Sequence, residues 1–265
     1  MTMALLLEYL SQYPVWLLGT LFSLFAGLAT GVGALPIFFT RKISDKLQDV
    51  LMGFGAGVML AATSFSLIVP GLKVAGYGIN AALIVVFGIL LGGIFLYLTD
   101  KIIPHEHFIK GHEGIDLVRL KRIWLFIFAI TIHNFPEGMA VGVGFGGGDI
   151  ANGITLAIGI GLQNIPEGLV VALALLAHRY SLSKSFLIAL ATGLVEPIGG
   201  LLGAGIVSIF MPLLPWGLAF AAGAMLFVVS DEIIPESHRK EFAKQATFGL
   251  MVGFVVMLFL DVVLG

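Results

Sequence analysis

The chain has 265 residues, 58% of them hydrophobic and only 11% charged, with a net charge of −2 and a mean hydropathy of +1.06. A soluble domain carries roughly 25% charged residues, so a water-soluble globular fold is excluded and lipid is the solvent for most of the chain. The absence of cysteine excludes disulfides, thiolate metal sites and a cysteine nucleophile, and the near-neutral charge offers no basic face to nucleic acid.

In chain order, residues 1–14 are apolar but lack a basic leader, so they do not read as a cleaved signal peptide. Eight uncharged or nearly uncharged runs follow, at approximately 15–39, 50–72, 77–99, 123–148, 150–177, 185–211, 213–230 and 246–264. Each is near or above the ~20 residues that carry a helix across ~30 Å of hydrocarbon. The runs are continuous and not alternating, which excludes barrel strands. The expected fold is therefore an all-α polytopic membrane protein of eight transmembrane helices, forming a single transport domain over residues 1–265. Every Lys and Arg except Lys73 lies in the segments 40–49, 100–122, 178–184 and 231–245. By the positive-inside rule these face the cytoplasm and both termini lie outside it, in the plasma (inner) membrane. The longest of these loops, 100–122, contains His105, Glu106, His107, His112 and Glu113.

Two short patterns recur. His133-Asn134-Phe135-Pro136-Glu137-Gly138 in span four is echoed by Gln163-Asn164-Ile165-Pro166-Glu167-Gly168 in span five. Ala56-Gly57-Val58-Met59-Leu60 in span two, followed by Pro70, is echoed by Ala222-Gly223-Ala224-Met225-Leu226 in span seven, followed by Pro235. The spans in each pair run in opposite directions, which is the trace of an inverted repeat and typifies carriers with a midplane substrate site.

The single carboxylates of spans four, five and six, Glu137, Glu167 and Glu196, fall near mid-membrane. A charge there costs about 2.5–3.5 kcal/mol on insertion scales. No Lys or Arg shares these spans, leaving protonated carboxyls or a bound cation. The neighbours favour a cation. His133 and Glu137 stand one helical turn apart on one face, as do Gln163 and Glu167, with Asn134 and Asn164 on the same side. Imidazole nitrogen with carboxylate and amide oxygen suits a divalent transition metal. Met59, mid-span in span two, offers either a thioether ligand or a packing side chain. Pro136 and Pro166 each free a carbonyl one turn back, which predicts broken helices at the site. Glu196 precedes Pro197 and so also sits at a bend.

At the cytoplasmic mouth, Asp100, His105 and His107 after span three match Asp231, Glu232 and His238 after span seven, and read as a release path of weak ligands. Ser64 and Ser66 of span two are candidates for lining the way in.

The paired His/Gln-Asn-x-Pro-Glu-Gly motif and the Glu196-Pro197 of span six resemble the ZIP (Zrt-, Irt-like) divalent-metal transporters of prokaryotic type. The resemblance implies import of zinc first, and also iron, manganese or cadmium, towards the cytoplasm. It implies a binuclear midplane site in which Glu137 and Glu167 bridge. One metal would take His133, Glu137, Gln163, Glu167 and Met59. The second would take Asn134, Glu137, Asn164, Glu167 and Glu196. Asn164 and Gln163 depart from the acidic residue and the His found there in relatives, which weakens the second site. The resemblance further implies an elevator-like alternation and a homodimer. The metal is cargo, and no prosthetic cofactor is expected; the partners are the metal ion and membrane lipid. A metal-dependent intramembrane hydrolase built on His133 and Glu137 is an alternative, although no His-Glu-x-x-His or nucleophile motif occurs. A receptor or scaffold and a proton-coupled carrier of a non-metal substrate are others.

Overall fold

The computed structural model describes residues 3–102, 105–107, 111–113, 122–238 and 241–264. A short amino-terminal helix, α1 (Met3–Leu10), precedes α2 (Val15–Ala34), which runs into a 3-10 turn at Leu35–Phe38. Then come α3 (Asp45–Ala61), α4 (Val69–Val74) and α5 (Gly78–Ile102). The strands β1 (His105–His107) and β2 (Gly111–Glu113) form a small antiparallel ribbon, with His105 opposite Glu113 and Glu106 opposite His112. The chain continues through α6 (Arg122–Gly146), α7 (Ile150–Ala177), α8 (Leu182–Gly193), α9 (Glu196–Ile209), α10 (Leu214–Val228), α11 (Ile234–Ser237) and α12 (Ala243–Leu264). The ribbon qualifies the all-α expectation in one place, the polar loop, where no apolar run dictates a helix.

Seven helical stretches of the described residues are long and apolar enough to cross a membrane: Val15–Phe38, Asp45–Val74, Gly78–Thr99, Ile150–Ala177, Leu182–Ile209, Met211–Ser237 and Ala243–Leu264. They match seven of the eight expected spans. The residues expected as span four lie in the 25-residue helix α6, which is not among these seven. Helix starts are fixed by side-chain caps where polar residues meet apolar runs. Ser44 accepts from the Leu47 N–H, Asp149 from Asn152 and Ser181 from Lys184, each satisfying a donor that the first turn leaves open.

Of the expected breaks, those at Pro136 and Pro166 are absent and the one at Glu196 is present. Both α6 and α7 continue as helices through Pro136 and Pro166. A proline removes one ladder bond, and dense neighbours can hold the rest of the helix in place. The irregular backbone lies in the other spans. Span two passes through a π-helical segment, Ala62–Ile68, before Pro70, and span seven through another, Val229–Ile233, before Pro235. Span six divides between α8 and α9 immediately before Glu196.

The packing is inside-out relative to a soluble protein. Buried positions include Ser23, Thr30, Asn134, Glu137, Gln163, Asn164, Thr192 and Glu196, while Phe25, Phe87, Leu90, Ile94, Phe248, Met251 and Phe259 are exposed. A lipid solvent removes the drive to bury large apolar side chains, so close approach of small residues holds the helices together. Two bodies result. Helices α2, α6, α7, α8 and α9 pack on one another, and α3, α5, α10 and α12 form the other group, with α3 on α12 and α5 on α10. They meet where α7 faces α3 and α6 faces α10.

Candidate metal centre

Each Pro-Glu-Gly motif is held by backbone contact with a neighbour. A Cβ on Gly138 of α6 would run into the Glu196 carbonyl of α9, and one on Gly168 of α7 into the Thr30 carbonyl of α2. Glycine after the glutamate is therefore a packing requirement. It presses the start of α9 against α6 and brings Glu196 beside the two motifs.

The side chains converge. Glu137 and Gln163 meet across α6 and α7, with Gln163 Nε2 donating to Glu137 Oε1 at 2.5 Å. Asn164 Nδ2 donates to Glu196 Oε1 at 2.6 Å and to the Ala26 carbonyl at 2.8 Å. His133 Nε2 pairs with Glu232 Oε1 at 2.6 Å. The carboxylate of Glu137 feels those of Glu167 and Glu196, and Glu167 feels His133 and Glu232. Glu137, Gln163, Asn134, Asn164 and Glu196 are buried, and Glu167 is half-buried. The structure thus gathers six of the seven expected polar donors into one network across α6, α7 and α9. Asn134, the seventh, is buried on α6 next to His133.

The network leaves buried polar atoms over. Glu137 Oε2, Glu196 Oε2, Gln163 Oε1, Asn164 Oδ1 and both polar atoms of Asn134 accept or donate no hydrogen bond. Each unmatched buried polar atom costs about 1–3 kcal/mol, and no Lys or Arg is buried among the described residues. Five of these are carboxylate or amide carbonyl oxygens, the atoms a divalent cation would use. Among the described residues, no three His, Asp or Glu side chains stand as a preformed cage. The donors are paired with one another: Gln163 with Glu137 and His133 with Glu232, contacts that a cation bound here would have to displace.

Met59 is fully buried on α3. One turn earlier on the same face, a Cβ on Gly55 would stand 3.7 Å from the Gln163 Cβ, so Met59 lies on the side of α3 that faces α7.

At the π-helical turn before α11, Glu232 is drawn up to His133, a link that sequence position gave no sign of. Asp231, on the same π-helical turn, is half-buried. His238 is committed elsewhere: Nδ1 lies 2.9 Å from the Ile234 carbonyl and Nε2 3.0 Å from Thr247 Oγ1, tying α11 to α12. The side chains of Asp100, His105 and His107 lie outside the described residues. Near the opposite end, Ser64 bonds back to the Leu60 carbonyl, while Ser66 donates to Asp261 Oδ1 at 2.6 Å. Asn152 Nδ2 donates to the Ser66 carbonyl at 3.1 Å. A cavity of about 330 Å³ at this end is lined by Lys73, Asp149 and Asn152 with Pro70, Val143 and Leu218. Asp261 was visible as the one charge in span eight. Asp149 and Asn152 had no sequence signal beyond helix-start chemistry.

The family model described as "ZIP Zinc transporter" matches residues 107–261. Zinc transporter GufA of Myxococcus xanthus is 51% identical over 251 residues, covering 93% of this chain and 99% of the relative. The chain belongs to the ZIP zinc transporter family. Zinc transporter ZIPB of Bordetella bronchiseptica is 48% identical over 241 residues, covering 89% of this chain and 78% of that protein. Similarity extends to the human zinc transporter ZIP11, 35% identical, covering 94% of this chain and 97% of that protein. A ZIP protein with these apolar helices is a multi-pass membrane protein and a transporter, not an enzyme.

Proposed function

We propose that this ZIP protein carries divalent transition-metal cations, zinc first, into the cytoplasm through the buried donor network of α6, α7 and α9. The observation that carries this reading is the set of unmatched oxygens on Glu137, Glu196, Gln163 and Asn164 in an interior with no buried Lys or Arg among the described residues. The first metal takes His133, Glu137, Gln163 and Glu167, with Met59 available from α3. The second takes Asn134, Glu137, Asn164, Glu167 and Glu196. Amides at 163 and 164 in place of ionisable donors make the second ion the weaker one.

Eight spans with both termini outside the cytoplasm are supported by the seven apolar helices, by the 25-residue α6 and by the distribution of Lys and Arg. An inverted repeat pairing spans one to three with six to eight, and four with five, is supported by packing. Under that exchange α2 on α7 becomes α9 on α6, and α3 on α12 becomes α10 on α5, and these are the close neighbours in the fold. The repeated motifs keep equivalent jobs. Gly57 presses on the Leu250 carbonyl of α12 as Gly223 presses on the Ile89 carbonyl of α5, and both spans have a π-helical turn before their proline.

Transport then follows as movement of the α2/α6–α9 body, carrying the glutamates, along the α3/α5/α10/α12 body. The inner side closes when Glu232 of the second body holds His133 of the first. A cation arriving from the Lys73–Asp149–Asn152 side neutralises the glutamates and competes for His133, releasing Glu232 to accept the cation on the inward side. The deciding experiment is flux of a divalent-metal series into liposomes holding the purified protein, with and without a pH gradient. Zinc uptake abolished by chelator is expected. Absence of flux for every divalent ion would overturn the reading.

A further inference from the structure

A cleft lies away from the candidate metal donors, between the α2–α3 turn and the α7–α8 turn. It measures about 980 Å³ and is lined by Arg41, Lys42 and Arg179, with Tyr180, Leu173 and Leu176 forming its wall. All three cations are exposed. Asp45 is the one acidic residue of the lining, and it has an interaction of its own. The amino ends of α3 and α8 open onto the same space through Asp45 and through Ser181 and Ser183, adding the partial positive charge of their first turns.

The depth is that of a headgroup. From Glu167 to Arg179 the chain advances about 18 Å at ~1.5 Å per residue, slightly more than half of a ~30 Å hydrocarbon core. Aromatic side chains mark the same level. Phe39 beside Arg41 is 93% exposed, Trp124 meets Tyr180 edge-on at 6.4 Å, and Phe38 meets Phe186 at 5.7 Å. Leu173 and Leu176 continue from the cations towards the hydrocarbon, so one occupant can place an anion on the guanidinium groups and an acyl chain along α7.

Arg179 is also an unusual helix stop. It closes α7 in the left-handed region, at φ 64°, with its N–H on the Leu176 carbonyl and the Tyr180 N–H on the Leu175 carbonyl. Glycine is the residue this position favours. An arginine here is held in a conformation that its backbone alone would not select.

We infer that this cleft binds the phosphate of an anionic phospholipid, with Arg41, Lys42 and Arg179 as its cationic contacts and Leu173 and Leu176 along an acyl chain. The inference rests on membrane placement alone and is independent of the metal site. It places one lipid against both bodies, since Arg41, Lys42 and Arg179 flank α2 and α7 while Asp45 begins α3.

The test is thermal unfolding of the full-length protein in neutral detergent, titrated with dioleoyl phosphatidylglycerol, dioleoyl phosphatidylcholine or inorganic phosphate. Phosphatidylglycerol is expected to raise Tm well above the other two. Each cation contributes about fivefold in affinity, so the triple variant Arg41→Gln, Lys42→Gln, Arg179→Gly should lose about a hundredfold. Arg179→Gly alone is the sharper probe. Glycine suits the left-handed turn, so without added lipid its Tm should equal or exceed that of the wild type, while its phosphatidylglycerol affinity falls about fivefold. Lys73→Gln, which lies in the other cavity, should retain the full lipid response. Equal responses to phosphatidylglycerol and phosphatidylcholine, an undiminished response in the triple variant, or inorganic phosphate as effective as the lipid would each overturn the inference.

Discussion

Glu137 and Glu167 occupy equivalent places in two copies of one motif, yet their surroundings differ. Glu137 is buried and tied to Gln163, whereas Glu167 is half-buried and sits near His133 and Glu232. Both are proposed to bridge the metals, so neither is dispensable. Glu137→Ala or Glu167→Ala should cut zinc uptake in proteoliposomes more than ~100-fold, because even loss of an outer partner of a metal ligand costs 10–100-fold. Uptake at the wild-type rate in either variant would remove these residues from the site. Asn164 tests the second ion separately. Its Nδ2 serves Glu196 and the Ala26 carbonyl, while its Oδ1 is unmatched. Asn164→Asp adds an anionic donor at that place, and the number of zinc ions bound per chain, read by equilibrium dialysis, should rise towards two. An unchanged stoichiometry would show that charge at 164 does not limit the second site.

At the scale of elements, the glycine of each motif matters more than its proline. Gly138→Ala forces α6 away from the Glu196 backbone, and Gly168→Ala forces α7 from Thr30. Overpacking of this kind costs about 1–3 kcal/mol, so each variant should lose on the order of 5 °C in Tm and transport poorly, since Glu196 or Glu167 is displaced with the backbone. A melting temperature equal to the wild type would mean that the helices separate freely there. The glycine-rich stretches of spans four and six face each other, with a Cβ on Gly142 meeting Gly200, and so join α6 to α9 within one body. Ser66 and Asp261 form a second kind of joint, a side-chain hydrogen bond between helices in lipid, worth about 0.6 kcal/mol on average and up to ~1.7. Asp261→Ala should therefore lower Tm by only a few degrees. A collapse of the fold would assign Asp261 a larger structural role.

For the whole molecule, the division into two bodies is the property on which the proposed alternating access depends. A chain without cysteine allows it to be tested by cross-linking on a clean background. In α2 and α7, which share a body, a Cβ on Gly161 would stand 3.7 Å from the Ala29 Cβ, close to the ~3.8 Å typical of a disulfide. Oxidised Ala29→Cys/Gly161→Cys should still transport. Between bodies, a Cβ on Gly217 of α10 would stand 3.2 Å from Val143 Cγ1 of α6. Oxidised Val143→Cys/Gly217→Cys should stop zinc flux, and reductant should restore it. Full flux with the second pair cross-linked would rule out relative motion at that contact.

The sequence by itself determined the solvent of the chain, the positions of its apolar helices and the residues of the buried polar network. Charge is so costly in lipid that each isolated Glu, and each cluster of Lys and Arg, marks a position directly. It determined only in part where the backbone departs from a regular helix. The bend expected at Glu196-Pro197 is present as the division between α8 and α9. Pro136 and Pro166 also read as breaks, yet α6 and α7 run through them, while the π-helical turns before Pro70 and Pro235 appear only in the fold. Whether a lost hydrogen bond bends a helix depends on the neighbours that hold it, and those neighbours are far away in sequence. The same holds for the pairing of His133 with Glu232 and for the cleft that brings Arg41 to Arg179. Sequence position alone gives no sign of these meetings, and tertiary packing decided which residues meet.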